Sequence, residues 1–113
     1  MGEKHFFAVH TFVSDEVRSQ FVTPPEKRET EKEWVEKIQG KYARCVQTWV
    51  GNEEFFYCHW IAMSEQDVYR QLDEFNLGAD RLNTMVHEVH EFLSAYRNSD
   101  ETLRTYPEDG MYW

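Results

Sequence analysis

Five histidines (His5, His10, His59, His87 and His90) and two cysteines (Cys45 and Cys58) are the side chains of this sequence best suited to metal or acid–base chemistry. Imidazole is the commonest ligand for borderline metals, and two or three converging histidines with a carboxylate make a nickel or zinc site. His10, His59, His87 and His90 are the candidate ligands. The last pair depends on its element: in a helix they stand at i, i+3 and can share a metal with Glu91, whereas in a strand they face opposite sides.

Cys58 and His59 are neighbours in FFYCHWIA, Phe55 to Ala62. A thiol nucleophile needs a base and electropositive surroundings to lower its pKa. Strand alternation sends these two side chains to opposite faces, so they form no dyad and Cys58 reads as a buried structural thiol. His59 alternates with Tyr57, and with Thr48 and Arg44 nearby it puts polar groups on a wall of Val46, Val50, Phe55 and Ile61. An apolar wall with a few convergent polar groups is the composition of a small-molecule pocket. His10 can join that wall if its strand pairs alongside. The common nucleotide and hydrolase signatures, GxGxxG, the P-loop, HExxH and GxSxG, are missing from the sequence.

The elements that must position these groups follow from pattern. HFFAVHTFV, residues 5–13, is aromatic and β-branched and ends at the turn-prone Ser14-Asp15, which predicts a strand. A helix is expected to start at Thr23-Pro24 or at Thr30, each with a glutamate three residues on, and to stop at Gly40. Its early turns are charged, and Trp34, Val35 and Ile38 form its apolar stripe. YARCVQTWV and FFYCHWIA, separated by GNEE, read as a hairpin with Asn52-Glu53 as the turn. That turn opposes Val50 with Phe55, Trp49 with Phe56, Thr48 with Tyr57, Gln47 with Cys58, Val46 with His59 and Cys45 with Trp60. Cys45 and Cys58 are then diagonal neighbours, beyond comfortable disulfide reach, and should be free thiols. Ser64 with Asp67 caps a helix whose Val68, Leu72 and Phe75 share one stripe. TMVHEVHEFL reads as a last strand, with a helix as the alternative.

Strand, helix, strand, strand, helix, strand is the ferredoxin-like βαββαβ order: an α+β fold with an antiparallel sheet and its helices on one face. The second sheet face would be apolar and aromatic, so two copies are expected to close on each other as a homodimer, a dimeric α/β barrel. The 113 residues fit a single domain, residues 1–113, with a core over about 5–93 and a C-terminal tail, 98–113, whose final aromatics should pack on something. The net charge of −9 disfavours nucleic acid and anionic lipid, and no apolar run is long enough for a membrane helix. A cytoplasmic, soluble protein is expected.

The stretch from Cys45 to Val89, CVQTWVGNEEFFYCHWIAMSEQDVYRQLDEFNLGADRLNTMVHEV, resembles the core of small nickel-binding proteins of the nickel-responsive-regulator-like family. Cys58, Trp60 and Ala62 fall on the Cys, aromatic and Ala positions of the family pattern, Asp80 falls on its Asp, and FAVHTFV gives a weaker echo. The chain departs from the pattern at Gln47, where members commonly carry a histidine. The resemblance implies a dimeric ferredoxin-like barrel and a divalent metal such as nickel. The expected function is a homodimeric binder of a small molecule or metal ion. The alternative is a cofactor-independent monooxygenase- or isomerase-like enzyme acting on a small aromatic or enolic substrate, by analogy of fold.

Overall fold

The computed structural model describes residues 3–21, 25–51, 54–90 and 93–102. Among them the chain forms β1 (Lys4–Phe12), α1 (Asp15–Ser19), a 3-10 turn (Pro25–Lys27), α2 (Glu31–Lys37), β2 (Ala43–Val50), β3 (Phe55–Ala62), α3 (Glu65–Glu74) and β4 (Leu82–Val89). The strands make one sheet in the order β2-β3-β1-β4, with every adjacent pair antiparallel.

The ferredoxin-like βαββαβ expectation, with the dimeric barrel built on it, is corrected. Where that arrangement needs one sheet-packing helix between β1 and β2, the chain has two short helices and a 3-10 turn, and neither helix contains a buried residue. Ser14, expected in a turn, caps α1 by accepting from the Val17 N–H. Thr30 and Glu33 form the expected capping box of α2, while Thr23-Pro24 lies outside the described residues. A seven-residue helix this rich in charge cannot build a continuous apolar stripe, so none of its own residues is buried and Ile38, its C-cap, is the buried point at its end. The molecule is a strand-heavy α+β fold with one four-stranded antiparallel sheet and three short helices among the described residues.

Helix α3 carries the packing. Its N-cap Ser64 accepts from the Asp67 N–H, and Val68, Gln71 and Leu72 are buried against the sheet. The helix ends in a Schellman turn: Asn76 takes φ 61°, its N–H donates to Asp73 O, and the Leu77 N–H donates to Leu72 O at 2.8 Å. Asn76 therefore supplies the left-handed stop. Gln71 ties α3 to the start of β2, its Oε1 accepting from the N–H groups of Tyr42 (2.6 Å) and Ala43 (3.2 Å). Gly40 is required by this contact: a Cβ there would collide with the Gln71 amide.

TMVHEVHEFL forms a strand over its first part, within β4, and the described residues include no helix there. The hairpin register is offset by one residue near its turn: Val50 pairs with Phe56, Trp49 with Tyr57, Thr48 with Cys58 and Gln47 with His59. An irregularity at Val46 restores the expected Cys45–Trp60 pair. Asn52-Glu53, the expected turn, lies outside the described residues, as does the tail from residue 103. No helix among the described residues is long and apolar enough to cross a membrane.

Candidate functional site

Because side chains alternate along each strand, the pairings sort the sheet into two faces. The face toward α3 holds Phe6, Ala8, His10 and Phe12 from β1, Cys45, Thr48 and Val50 from β2, Phe56, Cys58 and Trp60 from β3, and Leu82, Thr84 and Val86 from β4. Its centre is fully buried, with Phe6, Ala8, His10, Cys45 and Trp60 at 0–2% exposure. The other face holds His5, Phe7, Val9 and Thr11, with Gln47, Trp49, Tyr57, His59, Met85 and His87.

Between the covered face and the helices lies a cavity of about 510 Å³. Phe12, Phe56, Trp60, Ile38, Leu72 and Leu82 are among its apolar lining, and Arg18, His10, Cys45, Thr48, Cys58 and the Trp60 indole bring polar groups. This size and mixture match small-molecule sites, which run about 300–1,000 Å³ and are mainly apolar with a few placed polar groups.

Two of those wall residues carry buried polar atoms that have no hydrogen-bond partner among the described residues, His10 Nε2 and Trp60 Nε1. The His10 ring is fixed from the other side: Nδ1 is 2.8 Å from Thr84 Oγ1, and the ring stacks on Phe56 with centroids 4.7 Å apart. Burial lowers the His10 pKa to about 4, because an imidazolium here would lose its hydration. His10 is therefore neutral near pH 7. The tautomer follows the Thr84 hydroxyl, so Nε2 is either a donor or an acceptor toward the cavity.

The two thiols meet on the same wall. Thr48 Oγ1 is 3.5 Å from both Cys45 Sγ and Cys58 Sγ, and the cysteines are free, as expected. The neighbouring Cys58 thiol, with help from Thr48 and against burial, brings the Cys45 pKa down to about 7. The proximity of Cys45, and then burial, push Cys58 upward.

The expected pocket residues are divided by the register. Tyr57 and His59 lie on the open face, where Tyr57 stacks on Phe7 (5.9 Å) and His59 Nε2 is 2.8 Å from His5 Nδ1. Arg44 shares that face but is engaged by Glu3 at 3.0 Å. Thr48, expected beside them, faces the opposite side, and Gln47 takes its place opposite His59. Desolvation, and then the nearby His5, lower the His59 pKa. His5, His59 and His90 line a broad cleft of about 990 Å³ whose far wall is supplied by residues 93–101, among them Ser94, Tyr96 and Arg97.

The four candidate metal ligands are likewise separated. His10 belongs to the covered face and cannot join the His59 wall, whereas His59 and His87 flank Phe7 on the open face, two strand spacings or roughly 10 Å apart. His90 follows β4 and sits 3.7 Å from Glu88. Among the described residues no group of three or more His, Cys, Asp or Glu is placed to hold one metal ion.

No protein-family model, curated protein or solved structure matches the chain. The site therefore rests on geometry. Sequence reasoning did not single out Trp60 or Cys45 as site residues, and took Cys58 as a buried structural thiol. A usable signal was present in β1, where Phe6, Ala8, His10 and Phe12 form one stripe and a histidine inside an apolar stripe needs a partner.

Proposed function

We propose that this protein binds a small, largely apolar and aromatic molecule in the covered-face cavity, oriented by hydrogen bonds to His10 Nε2 and Trp60 Nε1. The observation carrying this reading is that two of the three partnerless buried side-chain polar atoms among the described residues, His10 Nε2 and Trp60 Nε1, belong to the wall of one 510 Å³ cavity, the third being Arg81 Nε outside it. A buried polar group without a partner costs about 1–3 kcal/mol, and a ligand hydroxyl or carbonyl that supplies one recovers that cost. The lowered pKa of His10 suits it to fixed hydrogen bonding at neutral pH better than to proton abstraction, which favours a binding role over the enzymatic alternative.

Naphthalene and 1-naphthol titrated against the protein test the reading, followed by calorimetry. The hydroxylated probe should bind about 2- to 10-fold more tightly, the worth of one hydrogen bond, and His10→Phe should erase that preference while naphthalene still binds. Equal affinity of the two probes for the native protein would sink the proposal.

A divalent-metal reading has its own support in the open-face pair His5 and His59, whose ring nitrogens are 2.8 Å apart. Equilibrium dialysis against nickel tests it, and uptake unaffected by His59→Ala would reject it. Homodimer formation, in turn, is supported by the exposed Trp49 and Met85 of the open face. Sedimentation velocity should then show a dimer that Trp49→Glu dissociates.

A further inference from the structure

We propose that Cys45 and Cys58 form a two-coordinate site for a soft monovalent cation of the copper(I) class in the wall of the covered-face cavity. The two sulfur atoms converge: each is 3.5 Å from the single Thr48 hydroxyl oxygen, both residues are buried, and both line the cavity. Their strand positions hold them apart from direct bonding. Cys45 pairs with Trp60 and Cys58 with Thr48, which makes the cysteines diagonal neighbours. Diagonal Cα atoms lie roughly 7–8 Å apart, whereas disulfides join Cα atoms about 4.4–6.8 Å apart. An ion between the sulfurs relaxes that demand: two metal–sulfur bonds of about 2.3 Å span about 4.6 Å, against about 2.05 Å for a disulfide.

The surroundings select the ion. Thiolate is a soft ligand, favoured by copper(I) and zinc. Zinc takes four ligands in closed sites, and no third His, Cys, Asp or Glu joins the thiols to make such a group among the described residues. Copper(I) is satisfied by two thiolates. The flanking Phe56 and Trp60 keep the site apolar, which protects the reduced ion from water, and the Thr48 hydroxyl can donate to one thiolate. Binding is not a redox step: Cu⁺ and two thiols give a dithiolate complex of charge −1 and release two protons.

The reduced protein, held under nitrogen with ascorbate, is titrated into copper(I) complexed by the coloured chelator bicinchoninate. One copper per chain should leave the chelator, and Cys45→Ala or Cys58→Ala should abolish the transfer. Thr48→Val, which keeps both sulfurs, should weaken it about 10- to 100-fold as loss of an outer-shell partner does. X-ray absorption of the loaded native protein needs no variant and should show sulfur neighbours only. Copper left on the chelator, transfer retained by Cys45→Ala, or nitrogen and oxygen neighbours would each overturn the proposal. Naphthol binding is measured on copper-free protein, so its success or failure is read separately.

Discussion

The two faces of this sheet are built from the same strands with similar ingredients, and they have become different kinds of surface. Each carries a β1 histidine, aromatic residues from β1 and β3, and a polar residue from β2. On the covered face α3 and the end of α2 exclude water, so His10 is held neutral by Thr84, Phe56 and burial. On the open face the same residue type forms an exposed pair with another histidine, and Trp49 keeps 42% of its surface. The chemistry of a strand histidine here is set by which face receives a helix.

Exchanging a large side chain on each face should show the greatest contrast. Trp60 is 2% exposed and stacks near Phe75 at 6.3 Å, so Trp60→Ala should cost about 3–5 kcal/mol in urea unfolding. Trp49, 42% exposed, packs its ring on Phe7 at 5.7 Å, and Trp49→Ala should cost about 1 kcal/mol. Equal losses would mean that the open face is packed in solution.

The next largest contrast is with acid. His10 has a folded pKa of about 4 against 6.5 unfolded, so its contribution is complete above pH 6.5. As pH falls from 6.5 to 4 the unfolded chain takes up a proton that the fold refuses, and stability should drop by about 3 kcal/mol. Below pH 4 both states are protonated and this loss stops. His10→Phe should flatten the decline, measured as urea midpoints from pH 7 to 4. A decline unchanged by that substitution would place the titrating group elsewhere.

Much of this contrast was legible in the sequence, and the part that was not has a definite cause. The cap at Ser64 and the Val68, Leu72, Phe75 stripe define α3 through local chemistry alone, and the strands follow from alternation. The faces of β2 did not follow, because a one-residue offset near the hairpin turn is undone by an irregularity at Val46. Neither leaves a mark in composition, yet together they move Thr48 beside the thiols and Gln47 beside His59. The missing sheet-packing helix has a similar origin. Alternation and caps located α2, but whether a short charged helix docks depends on surface that only the folded sheet presents. Gln71 was detectable, since it lies at i+3 in the stripe that begins at Val68, but a polar residue there gives no hint of its two backbone partners.

Gln71 marks the border between the faces' fates, because it fastens the covering helix to β2. Gln71→Leu keeps the volume and leaves the N–H groups of Tyr42 and Ala43 without their acceptor. A loss of about 2 kcal/mol is expected, with faster amide exchange at Tyr42 and Ala43 as the signature. Unchanged exchange there would show that the loop is held by other contacts.

The smallest effect should come from the His5–His59 pair, and it sharpens the comparison most. A 2.8 Å contact between ring nitrogens needs one donor and one acceptor, so at least one ring must be neutral. Both rings are in reach of water, which can replace the partner when one is removed. His59→Ala should therefore cost less than about 1 kcal/mol, and the His5→Ala, His59→Ala double-mutant cycle should couple by no more than about 0.5 kcal/mol. The lowered His59 pKa has the same sign as that of His10, so its contribution also fades as pH falls, but solvent screening keeps it small. If His59→Ala instead removed most of the acid-induced loss, the open face would be a buried surface in solution, and the contrast drawn between the two histidines would fail.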